Sequence, residues 1–399
     1  MIKNIRLIGF VVIILIVYSS FVVLDGVADK IISRIDGTEA RKIESTRKCT
    51  EDIYQEYVAI KTGHISLAYP DLFSVEPYKN WANQFKIAPL GSIPNVNVYY
   101  CNEGYGTLTY KTDRLGFRND DSLYESSKIN GLLIGDSFAH GACVDGKQTI
   151  SAQLNIQGDI TLNLATGGNQ PTHYAALAKT FIPKFKPSFV TIVFYPNDNI
   201  EDKIDDVYYK FFFKEENNYF DTQKYSSNSL IPSENLKAIY SKLFERMSNF
   251  ANAHNKEIIE KENCSEVSEV KWQNYLTLRL KLSTIQSLVK MKFIEKSPLQ
   301  KELTFGSMLA LDTLKNYCET YKCSAEVVYI PNSLFWRPDY RAERYKELLK
   351  IYCKAKKIKF IDTTEVINKL GKSAYALKGP HLSPEGYKAV ADAIIHARQ

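Results

Sequence analysis

The chemistry-bearing residues of this chain stand far apart. Ser137 follows a short apolar run in Gly135-Asp136-Ser137, and His381 opens His381-Leu382-Ser383-Pro384-Glu385-Gly386-Tyr387 near the carboxyl terminus. Between them lie Asn163, Gly168, and the pair Asn197 and Asp198 in Tyr-Pro-Asn-Asp. A serine at a strand-to-helix turn presents its hydroxyl at the carboxyl edge of a sheet, where open α/β folds bind ligands. The unpaired amides of the following helix can stabilise an oxyanion there. A histidine within reach could take the hydroxyl proton, which makes acyl transfer the chemistry to look for. Alone, the tripeptide is more simply a helix cap. The other residues add weight because each follows an apolar run or precedes the last helix.

Those runs set the fold class. Gly131–Gly135, Ile160–Leu164, Phe189–Phe194, Ala325–Ile330 and Ile358–Ile361 are short and apolar, as strands buried on both faces are. Helical patterns over Tyr174–Phe185, Leu303–Tyr321, Arg341–Lys356 and Pro384–His396 alternate with them. The alternation predicts an α/β fold, a doubly wound sheet of five parallel strands between helical layers. Parallel strands share one carboxyl edge, so the candidate residues can converge there. Residues 201–302 break the alternation and read as a largely helical insertion, opened by a hairpin from Val207–Phe213 and Tyr219–Thr222. Upstream, a polar helical stretch over residues 39–61 precedes a loop-rich part with short strands at Asn97–Tyr100 and Thr107–Tyr110. Glu103-Gly104-Tyr105-Gly106 is a turn between them. The organisation is 1–29 as membrane anchor or signal, 30–128 as a mixed α/β lead-in packing on the core, and 129–399 as the α/β domain carrying the insertion.

The order of motifs resembles the SGNH hydrolases, also called GDSL esterases and lipases. The resemblance rests on Gly135-Asp136-Ser137-Phe138-Ala139-His140-Gly141, on Gly168 five residues after Asn163, on Asn197 and on His381, and it covers residues 131–199 and about 303–399. With Asp113-Arg114-Leu115-Gly116-Phe117-Arg118 upstream, it is similar to membrane-anchored members from bacterial polysaccharide gene clusters. The resemblance implies Ser137 as nucleophile and His381 as base, with an oxyanion held by the Ser137 amide, the Gly168 amide and the Asn197 side chain. It implies no cofactor and no metal. Two positions depart from the family pattern. Lys378 stands three residues before His381, where the family has Asp, and Tyr195 stands where it has Gly. A lysine cannot accept the imidazole N–H. Either a backbone carbonyl orients His381 in a dyad, or another carboxylate serves; Asp362 is nearest by topology, with a helix cap as its alternative. Asp136 and Asp198 brace the loops. His140 and His173 read as packing or pocket lining. The aromatic run Tyr208, Tyr209, Phe211, Phe212 and Phe213 is either a sugar- or membrane-facing lip or the core of its own hairpin.

Composition narrows the setting. The chain has 399 residues, 45% hydrophobic and 24% charged, with a net charge of +6. That thin excess gives no case for nucleic acid. A mean hydropathy of −0.25 excludes a polytopic membrane protein. Yet Leu7–Leu24 carries no charge and would span about 27 Å as a helix. Lys3 and Arg6 before it and Asp25 and Asp29 after it put the remainder outside the inner membrane, in the periplasm. A signal cleaved after Gly26-Val27-Ala28 is the alternative, and exports the same domain. Export permits disulfides among the seven cysteines; Cys101 with Cys143 and Cys318 with Cys323 are candidate pairs, and buried small hydrophobes are the other reading. No Cys/His cluster has zinc spacing. The resulting expectation is a serine esterase or O-acetyltransferase acting on a carbohydrate ester of cell-envelope or exported polysaccharide. Its partners would be the inner membrane and polysaccharide biosynthesis or export proteins. A degenerate glycan-binding protein of the same fold and a lipase are the rival readings.

Overall fold

The computed structural model describes residues 2–35, 55–56, 58–199, 206–221, 230–260, 280–282, 285–286, 300–332 and 340–399. The amino-terminal apolar run is part of one helix, α1 (Ile2–Ile35). Within it Val12–Ile31 has a mean hydropathy of 2.0 and is almost wholly exposed. It is long and apolar enough to cross a membrane.

The lead-in contains β1 (Ile65–Ser66), α2 (Tyr78–Phe85), β2 (Asn97–Tyr99) and β3 (Thr109–Lys111). β1 runs parallel to β2, and β2 pairs antiparallel with β3. The helical reading of residues 39–61 lies for the most part outside the described residues.

The α/β part then follows in order: β4 (Gly131–Ile134), α3 (Ser137–His140), α4 (Ile150–Ile156), β5 (Thr161–Asn163), α5 (Pro171–Phe185), β6 (Phe189–Phe194), α6 (Glu234–Glu260), α7 (Phe305–Tyr321), β7 (Ser324–Tyr329), α8 (Tyr340–Lys356), β8 (Lys359–Asp362), α9 (Thr364–Leu370) and α10 (Pro384–Arg398). The sheet is parallel throughout, in the order β5-β4-β6-β7-β8. Each of the five expected strands is present within two residues of its sequence-read ends.

Successive strand residues feed opposite layers, which is why the runs are largely apolar and do not alternate. Leu132, Ile134, Val190 and Ile192 pack with Leu177, Phe181, Leu311 and Leu349 on one face. Leu133, Val193 and Val328 pack with Phe138, Leu154, Val390 and Ile394 on the other. Local signals fix the helix ends. Thr304 caps α7 by accepting the Ser307 N–H, and Ser383 caps α10 by accepting the Gly386 N–H ahead of Pro384 at the first turn. The Cys318–Cys323 disulfide ties the end of α7 to the start of β7.

One expectation fails. Residues 207–214 form two short helical turns, not the strand of a hairpin. Asp206 accepts the amides of Tyr208 and Tyr209, a helix-starting cap. Tyr208 with Phe212 and Tyr209 with Phe213 stack four residues apart, a pairing that only a helical backbone allows. Among the described residues of the insertion, α6 buries Leu236, Ile239 and Leu243 in the main core.

Glu326 is a carboxylate on β7 with 2% of its surface exposed. It accepts the Thr191 hydroxyl and a guanidinium N–H of Arg398, at 2.8 Å each, so the last helix closes over a charge inside the sheet. Removing one partner of such a pair strands the other. Arg398→Ala should therefore lower unfolding stability by about 3 kcal/mol, measured by denaturant titration. A loss below about 0.5 kcal/mol would show that the pair does not hold the sheet to α10.

Candidate active site

The strand order reverses direction between β4 and β6, the switch point at which open α/β sheets leave a crevice. Ser137 leaves the carboxyl end of β4 and Asn197 that of β6, so both look into that crevice. His381 arrives from the far end of the chain. Its backbone is held by the Ala376 N–H donating to its carbonyl at 2.8 Å and by the pairing of Leu382 with Tyr375, just before the Ser383 cap.

The three-way geometry is tight. Ser137 Oγ lies 2.8 Å from His381 Nε2. On the other side of the ring, His381 Nδ1 lies 2.7 Å from Glu103 Oε1, and the His381 N–H donates to Glu103 Oε2 at 3.2 Å. With the proton on Nδ1, Nε2 is free to accept from the serine hydroxyl. The carboxylate facing His381 is therefore Glu103. Asp362, the candidate by topology, instead accepts the Thr364 N–H and hydroxyl just ahead of α9, whose cap residue is Thr363, and lies 3.8 Å from Lys346 Nζ.

Three devices seat Glu103, and none depends on a matching side chain at position 378. Its carbonyl accepts the Lys378 N–H at 3.1 Å. Its side chain crosses Gly379 so closely that a Cβ there would lie 1.9 Å from the carboxyl carbon; only glycine leaves room. Two residues upstream, Cys101 is disulfide-bonded to Cys143, in the loop that follows α3. The same disulfide accounts for the Cys143 sulfur near the Glu103 and His381 ligand atoms, since that sulfur is not a thiolate.

The segment from Asp113 to Asn119 sews the lead-in to the same loops. Asp113 accepts the Leu115 and Phe117 amides, the Asn119 side chain and the Tyr124 hydroxyl, which folds the segment on itself. Arg118 then donates to the carbonyls of Gly141 and Val144, and Asn119 exchanges two hydrogen bonds with the backbone of Asn163. Asn163 in turn donates to the Ala139 carbonyl in α3.

The expected oxyanion donors are braced from behind. Asp136 is buried, caps α3 by accepting the Phe138 N–H, and accepts Asn197 Nδ2 at 2.9 Å. One N–H of that amide is so engaged, which leaves its second for a substrate oxygen. Burial pushes the Asp136 carboxyl above its usual range, against the pull of Asn197. Asp198 accepts the Tyr174 hydroxyl at 2.6 Å and the Tyr195 N–H at 2.8 Å, tying the Asn197 turn down. Gly168 has φ +75°, and a Cβ there would lie 2.8 Å from the Asp71 carboxyl carbon. Asp71 is a second lead-in carboxylate at this edge that sequence reasoning missed, half-buried, with its pKa raised by burial.

The remaining candidates are structural. Tyr195 stacks on Phe138 at 3.7 Å between ring centres, and Phe138 lies 5.0 Å from the His381 ring, so the departure from glycine builds a wall behind the imidazole. His140 pairs with the Tyr110 hydroxyl at 2.9 Å, and burial holds its pKa well below the usual value. His173 accepts the Gln170 N–H and packs against the Tyr208 ring; burial brings its pKa down to about 4. Tyr208, Phe211 and Phe212 are core residues rather than a lip.

No family model matches this chain, and no curated protein matches it. Among solved structures, a protein named TesA is 10% identical with a TM-score of 0.36, over 68% of this chain and 98% of its own. A putative lipolytic protein of the G-D-S-L family from Desulfitobacterium hafniense is 14% identical with a TM-score of 0.32, over 68% and 99%. A GDSL-like lipase from Bacteroides thetaiotaomicron is 11% identical with a TM-score of 0.31, over 69% and 93%.

Glu103→Gln keeps the shape and removes the charge facing His381. It should lower kcat on p-nitrophenyl acetate by about 100-fold or more, while Asp362→Asn stays within about twofold. Equal effects of the two variants would remove Glu103 from the site. His173 gives a pH prediction. Its folded pKa lies below the unfolded one, so its stability contribution is full above pH 6.5 and is lost as pH falls toward 4. His173→Asn should flatten that acid limb by up to about 1.4 kcal/mol per pH unit in denaturant titrations. An unchanged slope would mean that His173 is not buried neutral.

Proposed function

We propose that this chain is a serine-dependent acyl-ester hydrolase or O-acyltransferase of the SGNH type, held at the inner membrane by α1 with its site facing the periplasm. The observation that carries this reading is the unbroken path from Ser137 through His381 to a carboxylate. In the first half-reaction Ser137 Oγ bonds to the ester carbonyl carbon as its proton passes to His381 Nε2, and Glu103 stabilises the imidazolium. The oxyanion is met by amides at the Ser137 and Gly168 turns and by Asn197. Collapse breaks the ester C–O bond, and His381 returns the proton to the leaving alcohol. Water or a sugar hydroxyl then takes the acyl group from Ser137 by the reverse sequence.

The substrate in this reading is an ester of cell-envelope or exported polysaccharide. The apolar helix and the cysteine pairs in an exported domain support it, as does the likeness in motif order to polysaccharide-cluster members. The non-catalytic reading drew its support from Lys378; the Glu103 carboxylate 2.7 Å from His381 Nδ1 supports the catalytic reading instead. The lipase reading drew on the aromatic run, whose central rings are buried.

A fluorophosphonate probe should label the wild-type protein and not Ser137→Ala. No labelling, or equal labelling of both, would overturn the enzyme reading. Turnover of an acetyl donor with and without an oligosaccharide acceptor separates the two chemistries. Acetylation of the added sugar marks a transferase, and release of acetate alone marks a hydrolase.

A further inference from the structure

A cavity lies between β3, the Arg118–Asp120 segment and the start of α4, and Ser137, His381 and Glu103 are not among its lining residues. It encloses about 470 Å³. Three cations line it: Arg118, Lys111 and Lys147. Arg118 is only 8% exposed, and its guanidinium sits over the Tyr110 ring with two N–H groups on the carbonyls of Gly141 and Val144. Among the described residues none of the three cations makes a salt bridge. Asp145 acts on this guanidinium from the cavity rim without pairing with it, so an anion in the cavity would supply the direct partner a buried charge favours. Burial lowers the Arg118 pKa, against the pull of Tyr110 and Asp145.

Two carboxylates stand at the rim, and both serve as caps. Asp120 accepts the Ser122 N–H and hydroxyl, and Asp145 accepts the Lys147 N–H. Three positive and two negative groups leave the cavity with one net positive charge, which matches a monoanion better than a phosphate dianion. The volume far exceeds a bare anion and suits one or two sugar units. The free carboxylate oxygens and the Asn155 side-chain N–H groups offer hydroxyl partners around the charge.

We propose that this cavity binds a carboxylated sugar unit, an anchoring subsite for an acidic polysaccharide. The choice of a sugar rests on the polysaccharide reading above; the anion site itself does not. Arg118 grips Gly141, the residue that ends α3, and α3 rises only about 6 Å from Ser137. A polymer held here is thus within one or two sugar units of the nucleophile.

The test is saturation-transfer NMR on full-length protein in detergent micelles, with glucuronate, glucose and inorganic phosphate as probes. The Ser137→Ala protein is used alongside wild type, so that binding is read without turnover. Glucuronate should bind about tenfold or more tightly than glucose in both proteins. Lys111→Ala with Lys147→Ala should weaken glucuronate by about tenfold while p-nitrophenyl acetate turnover stays within about twofold. Equal binding of glucose and glucuronate, or full binding by the double variant, would overturn the site. Phosphate that displaces glucuronate at lower concentration would overturn the sugar assignment and leave a small-anion site. A protein that binds glucuronate but escapes the fluorophosphonate probe would lose the esterase reading and keep this one.

Discussion

The contact between Glu103 and His381 is the constraint around which the rest is arranged. A carboxylate with 11% of its side chain exposed has lost most of its water. That loss is offset only if its oxygens find donors, and His381 supplies two, from ring and backbone. The imidazole in turn is fixed in one tautomer and aimed at Ser137. A shift of about 1 Å would forfeit both ends of this relay, so the lead-in must be held to the core with near-rigid precision. The disulfide, the Arg118 and Asn119 bonds and the bare backbone at Gly379 each supply part of that rigidity.

It follows that the lead-in is a working part of the crevice. It brings Glu103 to His381, Asp71 to the wall at Gly168, and Arg118 and Asn119 to the loops that carry Ser137 and Asn163. Few of these contacts are apolar. They are hydrogen bonds to backbone carbonyls and amides, which fix orientation where burial of hydrophobic surface would fix only proximity.

Most of the sheet was legible because strands buried on both faces are mostly apolar, and their short runs are bounded by glycine or polar residues and alternate with helical patterns. The helices were legible as helical patterns alternating with the strands, as over Leu303–Tyr321 and Pro384–His396. The helical turns at 207–214 were not, because consecutive aromatics suit a strand as well as a helix, and the capping role of Asp206 is visible only beside the stacked rings. At the crevice, Ser137, His381, Asn197 and Gly168 could be read because each follows a strand or precedes a capped helix. Glu103 could not. It sits in a glycine-rich turn, and its partner lies 278 positions away with no periodicity linking them. One signal was present: a cysteine two residues before it and another six residues after Ser137, which, once paired, bring the turn to the nucleophile.

Gly379 marks a position where what matters is the absence of a side chain. The carboxylate facing His381 stands first in the chain here, as Glu103, Ser137, His381, where the resembled family runs serine, aspartate, histidine. Chain order is free to vary because the imidazole responds to a charge at a given point in space, whatever strand delivers it. With that point supplied from outside the core, position 378 needs no acid and holds a lysine. The demand falls on the glycine beside it, where any Cβ would meet the Glu103 carboxyl group. The contact with His381 is thus secured by an empty space as much as by a charge.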